Sequence, residues 1–178
     1  MAAGDLDRLR TLLPEPSAPV EAPAAGDWDA LHERLGFALP ADYREFVGRY
    51  GSGVVDNFVW VLNPFSANEN IRFPESSDRQ LAILRWLRER GEALPHAIYP
   101  EPGGVLLWAE TANGDCFYWL TDGSPDEWRV TVNEARASNW HDHPGPMSAL
   151  LADLLDGSVH VEFFPDNFPL AAHSVVAF

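Results

Sequence analysis

The chain has 178 residues with 12 basic and 27 acidic side chains, a formal net charge of −15 with histidine neutral. That balance argues against nucleic-acid binding, which takes clustered Lys and Arg. All the basic residues are arginine, so Schiff-base chemistry and lysine-dependent phosphate cradles are excluded. The size fits one domain, and 46% hydrophobic residues with seven tryptophans predict a substantial core. Cys116 has no partner for an internal disulfide, and no C-x-x-C pair exists. The first residues lack a basic start and an apolar stretch, and no window reaches the roughly 20 apolar residues of a membrane span. A cytoplasmic location away from membranes is the expectation.

Leu6, Leu9, Leu12 and Leu13 recur at helical spacing, predicting an N-terminal helix that stops at Pro14 and lies on the domain or on a partner. Residues 14–26 hold four prolines among small residues and read as a semi-extended linker, which sets the start of the compact domain near Asp27. Asp27 is placed to cap a helix with Trp28, Leu31 and Leu35 on one face and Gly36 at its end. Pro40 suits the first position of the next helix, whose stripe is Tyr43, Phe46, Val47 and Tyr50, closed by Gly51.

Val54-Val55 and residues 58–62 read as strands. Ser77 and Gln80 have capping-box spacing ahead of a helix that buries Leu81, Leu84 and Leu87 and ends at Gly91. Strands over 105–110 and 116–121 flank an Asn113-Gly114 step that favours a tight hairpin. A third strand follows over 129–133, and a leucine-lined helix over 147–156 ends at Gly157. The tail from Val159 is apolar but irregular. Strands without strict strand-helix alternation predict an α+β domain, mainly antiparallel, with segments 1–26 and 161–178 flanking a domain over 27–160.

Candidate chemistry is sparse. His141-Asp142-His143 supplies two metal ligands without a local third, so a solvated loop before Pro144 is the better reading and no metal or cofactor is expected. Gly51-Ser52-Gly53 is too short for a nucleophile elbow, and Gly103-Gly104 is a turn rather than a phosphate cradle. Cys116 has no basic neighbour to activate it and reads as a packed thiol. Charge distribution is more informative. No Lys or Arg lies between Gly91 and Trp128, where Glu92, Glu101, Glu110, Asp115, Asp122, Asp126 and Glu127 accumulate, and none follows Arg136. Trp108, Trp119, Trp128 and Trp140 interleave with these acids. Acids beside aromatic anchors suit a binding face for a basic protein, while a merely solubilising acidic surface over core tryptophans is the competing reading. Trp60, Glu110, Asp122, Asp126, Glu127, Trp128 and Trp140 are the candidate partner-binding residues.

The run from Trp28 through Leu31, Leu35, Gly36, Leu39, Pro40, Asp42, Tyr43 and Phe46 to Tyr50-Gly51 resembles the N-terminal signature of the SUKH superfamily. A second block is similar to its later strands: Trp108, Thr111, Asn113-Gly114-Asp115 and Tyr118-Trp119, then Gly123, Pro125-Asp126, Trp128 and Val130. Residues 150–157 match the closing helix, and the resemblance covers about 27–160. It implies an α+β domain without catalytic activity, either an immunity protein that neutralises a toxin or a regulator related to cell-wall assembly factors. Leu39, Pro40, Tyr43, Gly51, Gly114 and Asp115 read as structural within that motif. The leading expectation is a cytoplasmic immunity protein with a basic cognate toxin. A regulatory scaffold is the second reading, and a hydrolase using two carboxylates or the His141–His143 cluster the third; oligomeric state is left open.

Overall fold

The computed structural model describes residues 2–177. Five helices and seven strands follow in the order α1 (Ala2–Leu12), α2 (Asp27–Leu35), α3 (Ala41–Tyr50), β1 (Val54–Val55), β2 (Val59–Val61), α4 (Glu75–Glu89), β3 (Val105–Thr111), β4 (Cys116–Leu120), β5 (Arg129–Asn133), β6 (Trp140–His143), α5 (Met147–Leu155) and β7 (Val175–Val176). The strands form one sheet in the order β6-β5-β4-β3-β2-β1-β7, with every strand pair antiparallel. The domain is therefore α+β. Short hairpins explain the antiparallel pairing, because no α-helix intervenes between β3 and β6 to carry a crossover.

Both sheet faces are covered. On one, Trp119 of β4 meets Tyr43 of α3 edge-on at 5.0 Å and Trp108 of β3 at 6.2 Å, and α1, α3 and α5 pack together over this side. On the other, α4 lies against β3, and Gln80 Nε2 donates to the Tyr118 hydroxyl at 2.9 Å. Burial on two sides accounts for the fully buried β4, Cys-Phe-Tyr-Trp-Leu, which shows none of the apolar-polar alternation of a half-exposed strand.

One irregularity sets which residues reach which face. Leu107 pairs with Tyr118 and Ala109 with Phe117, so Trp108 is an extra residue in β3, a bulge. Strict alternation would send Glu110 into the core beside Leu106 and Trp108. The bulge instead places Glu110 opposite Cys116, on the α4 side.

Both flanking segments join the same core. Leu6, Leu9 and Leu13 of the N-terminal segment are buried, and the Tyr50 hydroxyl donates to the Leu13 carbonyl at 2.9 Å. Arg8 pairs with Asp153 at 2.6 Å and with Asp156, tying α1 to α5. The C-terminal segment buries Val161, Phe164 and Phe168, and adds β7 to the edge beside β1. Asp56 fixes that return, accepting from the Leu170 and Ser174 amides at 3.1 and 2.9 Å and facing His173 Nδ1 at 2.8 Å.

Three local expectations are corrected. Ser77 is no cap: α4 starts at Glu75 after Pro74, and Ser77 is buried inside the helix with its hydroxyl unpartnered among the described residues. A reciprocal capping box occurs instead at Ser124 and Glu127, around a short 3-10 turn over Pro125–Glu127. Asp27 is the first residue of α2 rather than its cap, and its carboxylate accepts from the Ala24 amide at 2.7 Å. His141-Asp142-His143 is no solvated loop but most of the edge strand β6.

Candidate functional site

The candidate partner-binding residues fall into two groups at opposite ends of the sheet. Trp60 pairs with Glu110, Glu110 with Cys116, Cys116 with Asn133, and Asn133 with Trp140. Cross-strand partners share a face, so Trp60, Glu110 and Trp140 lie in one transverse row on the α4 side. Asp122, Asp126, Glu127 and Trp128 belong to the β4–β5 connection, beyond the far end of the five residues of β4. Four strand steps of about 3.3 Å keep the two groups roughly 13 Å apart.

Several of these side chains have structural duties. Trp128 is only 6% exposed, packs on Trp119 and Phe37, and donates its indole N–H to the Gly123 carbonyl at 3.3 Å. It fills the core and presents little surface. Asp126 accepts from the Ala41 amide at 2.7 Å, completing the start of α3. Glu127 accepts from the Ser124 hydroxyl at 2.7 Å and amide at 2.9 Å, which holds its carboxyl below the usual range. Asp122 is exposed and in no ion pair among the described residues.

Trp140 is half-buried, stacked on Tyr118 at 5.6 Å and edge-on to His96 at 5.2 Å. Trp60 is likewise half-buried. Burial pushes the Glu110 carboxyl above its ordinary value, opposed by the positive field of Arg79.

The motif residues are internal. Leu39 and Tyr43 are buried, and the Tyr43 hydroxyl donates to the Leu62 carbonyl at 2.5 Å. Pro40 precedes α3 as its N-cap residue, and Gly51 ends it. Asp115 reaches further than a local turn: Oδ2 accepts from Thr111 Oγ1 at 2.7 Å, and Oδ1 accepts from the Ala135 amide at 2.9 Å. It thereby fastens the β3–β4 hairpin, with Gly114 at φ 92°, to the β5–β6 turn.

Of the β6 histidines, His143 is engaged within the fold. The Gly145 amide donates to His143 Nδ1 at 3.1 Å, so Nε2 carries the proton and donates to Asp153 at 2.8 Å. Asp142 faces His96 Nε2 at 2.9 Å. Burial, with His143 nearby, lowers the His141 pKa. Among the described residues no group of three or more His, Cys, Asp or Glu is arranged to hold a metal ion. Cys116 is buried, and its thiol is pushed up to about 12 by that burial.

Hydrophobic spacing in the sequence singles out Leu81, Leu84 and Leu87 of α4; Leu81 and Leu84 are buried, whereas Leu87 is only half-buried. On the opposite flank of the helix stand Ile83 and Trp86, 50% and 51% exposed, two of the four large hydrophobics exposed among the described residues. Their i, i+3 spacing outside the leucine stripe was the available signal. Arg90 lies over the Trp86 ring at 4.3 Å.

An antiparallel sheet clasped between one helix and three, with its signature residues consumed by packing and turns, defines an α+β domain whose motif maintains the fold. The family model SUKH_6, described as SMI1-KNR4 cell-wall, matches residues 26–143. The chain belongs to the SUKH family. No curated protein and no solved structure matches the chain. Among the described residues, no helix is long and apolar enough to cross a membrane.

Proposed function

We propose that this SUKH domain is a non-catalytic binding protein of the immunity type, which captures a basic cognate toxin in the cytoplasm through its acidic surface. The observation that carries the reading is the distribution of ion pairs. Every arginine-carboxylate pair with an acid beyond Glu101 goes to Asp153 or Asp156, while Glu110, Asp122, Asp126, Glu127, Glu134, Glu162 and Asp166 have no ion pair among the described residues. Carboxylates outside ion pairs raise the rate of encounter with a cationic partner, to about 10⁸–10⁹ M⁻¹s⁻¹ at low salt. Fast capture is what neutralising a toxin requires. Screened charges supply little affinity, and nanomolar binding takes about 12 kcal/mol, so an apolar contact must sit within the acidic field.

A second reading, a regulatory scaffold for an endogenous partner, is favoured by the cell-wall description of the family model. A tagged pull-down from native cells, eluted with rising salt and followed by co-expression of the leading partner, separates the two. A basic partner that is toxic alone and harmless beside this protein supports immunity. A non-toxic partner supports the scaffold, and turnover of glycosides or esters by the purified protein would overturn both.

A further inference from the structure

The turn between β5 and β6 separates two openings that share Ser138 and Trp140. The first, of about 820 Å³, runs along α4 and is walled by Ile83, Leu84, Leu87 and Leu94. Glu92 and Arg136 both line it, so its charge is balanced and its apolar wall is the distinguishing feature. The second, of about 690 Å³, lies beside β6 and is lined by Glu134, His141, His160, Glu162 and Phe163. It contains two carboxylates and neither Arg nor Lys.

Three independent features mark this region. Ile83 is half-exposed at the first groove although the Leu81 and Leu84 stripe already satisfies the core. An exposed aliphatic side chain in a concave apolar setting is characteristic of a contact surface. In the second cleft, Glu134 and Glu162 are in no ion pair among the described residues, and no Lys or Arg follows Arg136 in the chain. Trp140 and Phe163 add ring faces suited to a guanidinium or ammonium group. The turn itself is held in place: the Ala135 amide donates to Asp115, the Glu134 amide to the Asn139 carbonyl at 3.0 Å, and Asn133 Nδ2 to the Ala137 and Asn139 carbonyls at 3.3 and 3.0 Å. A surface already in its bound shape loses little conformational entropy on docking.

We propose that the two openings and the turn between them form one docking surface for a basic protein segment, which seats an aliphatic side chain beside Ile83 and Leu87 and places an arginine or lysine between Glu134 and Glu162. The inference rests on the binding-domain reading above and locates its apolar contact. A second copy of the chain is a poor occupant, because each copy carries −15 and the two would repel.

Fluorine NMR of the full chain labelled with 5-fluorotryptophan tests this, with resonances assigned from single Trp→Phe variants. The probes are an octapeptide alternating arginine and leucine, its glutamate-leucine counterpart, and octa-arginine. The arginine-leucine peptide should shift Trp140 while leaving Trp60 in place, and bind at least about tenfold more tightly than octa-arginine. The glutamate-leucine peptide should shift nothing. Ile83→Glu, and separately the pair Glu134→Gln and Glu162→Gln, should each weaken the arginine-leucine peptide at least about fivefold, with unchanged fluorine spectra before titration showing that the variants fold. An unmoved Trp140, equal binding of the acidic peptide, or variants that bind as the parent would overturn the proposal. A dimer by sedimentation that Ile83→Glu dissolves would also overturn it, assigning the surface to a second copy. If a partner from the pull-down binds Ile83→Glu unchanged, this surface is wrong and the binding-domain reading stands. If the peptide binds as described but no cellular partner exists, that wider reading fails instead.

Discussion

The Ala41 amide donates to Asp126 Oδ1 at 2.7 Å across 85 residues of sequence, so the β4–β5 connection completes the N-terminus of α3. Pro40, the N-cap residue of that helix, makes no side-chain cap bond, and a carboxylate there satisfies a free N–H and complements the helix dipole. An acid that looks available for a partner is thus engaged in joining two parts of the fold.

Removing that acceptor should cost stability in the range of a lost N-cap. Asp126→Ala is expected to lose about 1 kcal/mol and lower the melting temperature by about 2–4 °C. Asp126→Asn retains an acceptor and should lose less. Asp122→Ala, four residues away on the same connection, should move the midpoint by less than either. Circular-dichroism melts of the three variants decide this, and an equal effect at Asp122 would contradict the assignment.

Gly51 and Gly114 both have positive φ, 65° and 92°, yet their substitution should differ. A Cβ on Gly51 would lie 2.1 Å from the Val20 carbonyl oxygen, which the Ser52 amide holds at 2.7 Å. Backbone collision adds to backbone strain, so Gly51→Ala should cost about 3 kcal/mol or more. At Gly114 the nearest atom to a new Cβ is the Ala135 methyl at 3.6 Å, leaving only the left-handed strain of about 1–2 kcal/mol. Urea denaturation of both variants measures the difference.

The α1–α5 contact should be sensitive to acid. Hydrogen bonds from Ser158 and Arg8 hold the Asp156 carboxyl down to about 2, from an ordinary 3.8. A depressed carboxyl contributes stability that is present above the unfolded value and lost as pH falls through the folded one. Asp156 is exposed, so solvent screening limits that contribution to about 0.5–1 kcal/mol. Asp156→Asn should therefore be less stable than the parent at neutral pH, with the gap closing between pH 3.8 and about 2. Denaturation midpoints at pH 7, 4, 3 and 2 test the closure, and a gap independent of pH would refute it.

Cys116 should report unfolding. Buried, with its thiol raised to about 12, it forms almost no thiolate at neutral pH and offers little access to reagents. Ellman's reagent at pH 8 is expected to find no reactive thiol in the native protein and one after urea. Rapid native labelling would mean that β4 is open to solvent.

Local chemistry made much of the fold readable. The Asn113-Gly114 hairpin, the glycine stops after α2 and α3, and the leucine-lined α5 depend on short-range turn preferences and helical periodicity, which neighbouring residues express by themselves. Ser77 misled because capping spacing recurs inside helices, and the preceding Glu75-Ser76 turn proved helical. Glu110 was legible as an acid but not as a member of the α4 face, because the bulge at Trp108 depends on pairing with β4. Trp128 carried the same aromatic signal as Trp140; only packing by Phe37 and Trp119 distinguishes a core ring from a surface one.

By itself the sequence determined an acidic, lysine-free α+β chain of the SUKH type, since charge, composition, helical period and turn residues are properties of adjacent or regularly spaced positions. Tertiary structure alone decided that α1 and the C-terminal segment complete the core, that the candidate acids divide between two ends of the sheet, and that an apolar groove and an acidic cleft meet at Trp140. Those outcomes arise from contacts between residues far apart in the chain, where register, a single inserted residue and burial on both sheet faces fix which side chains meet.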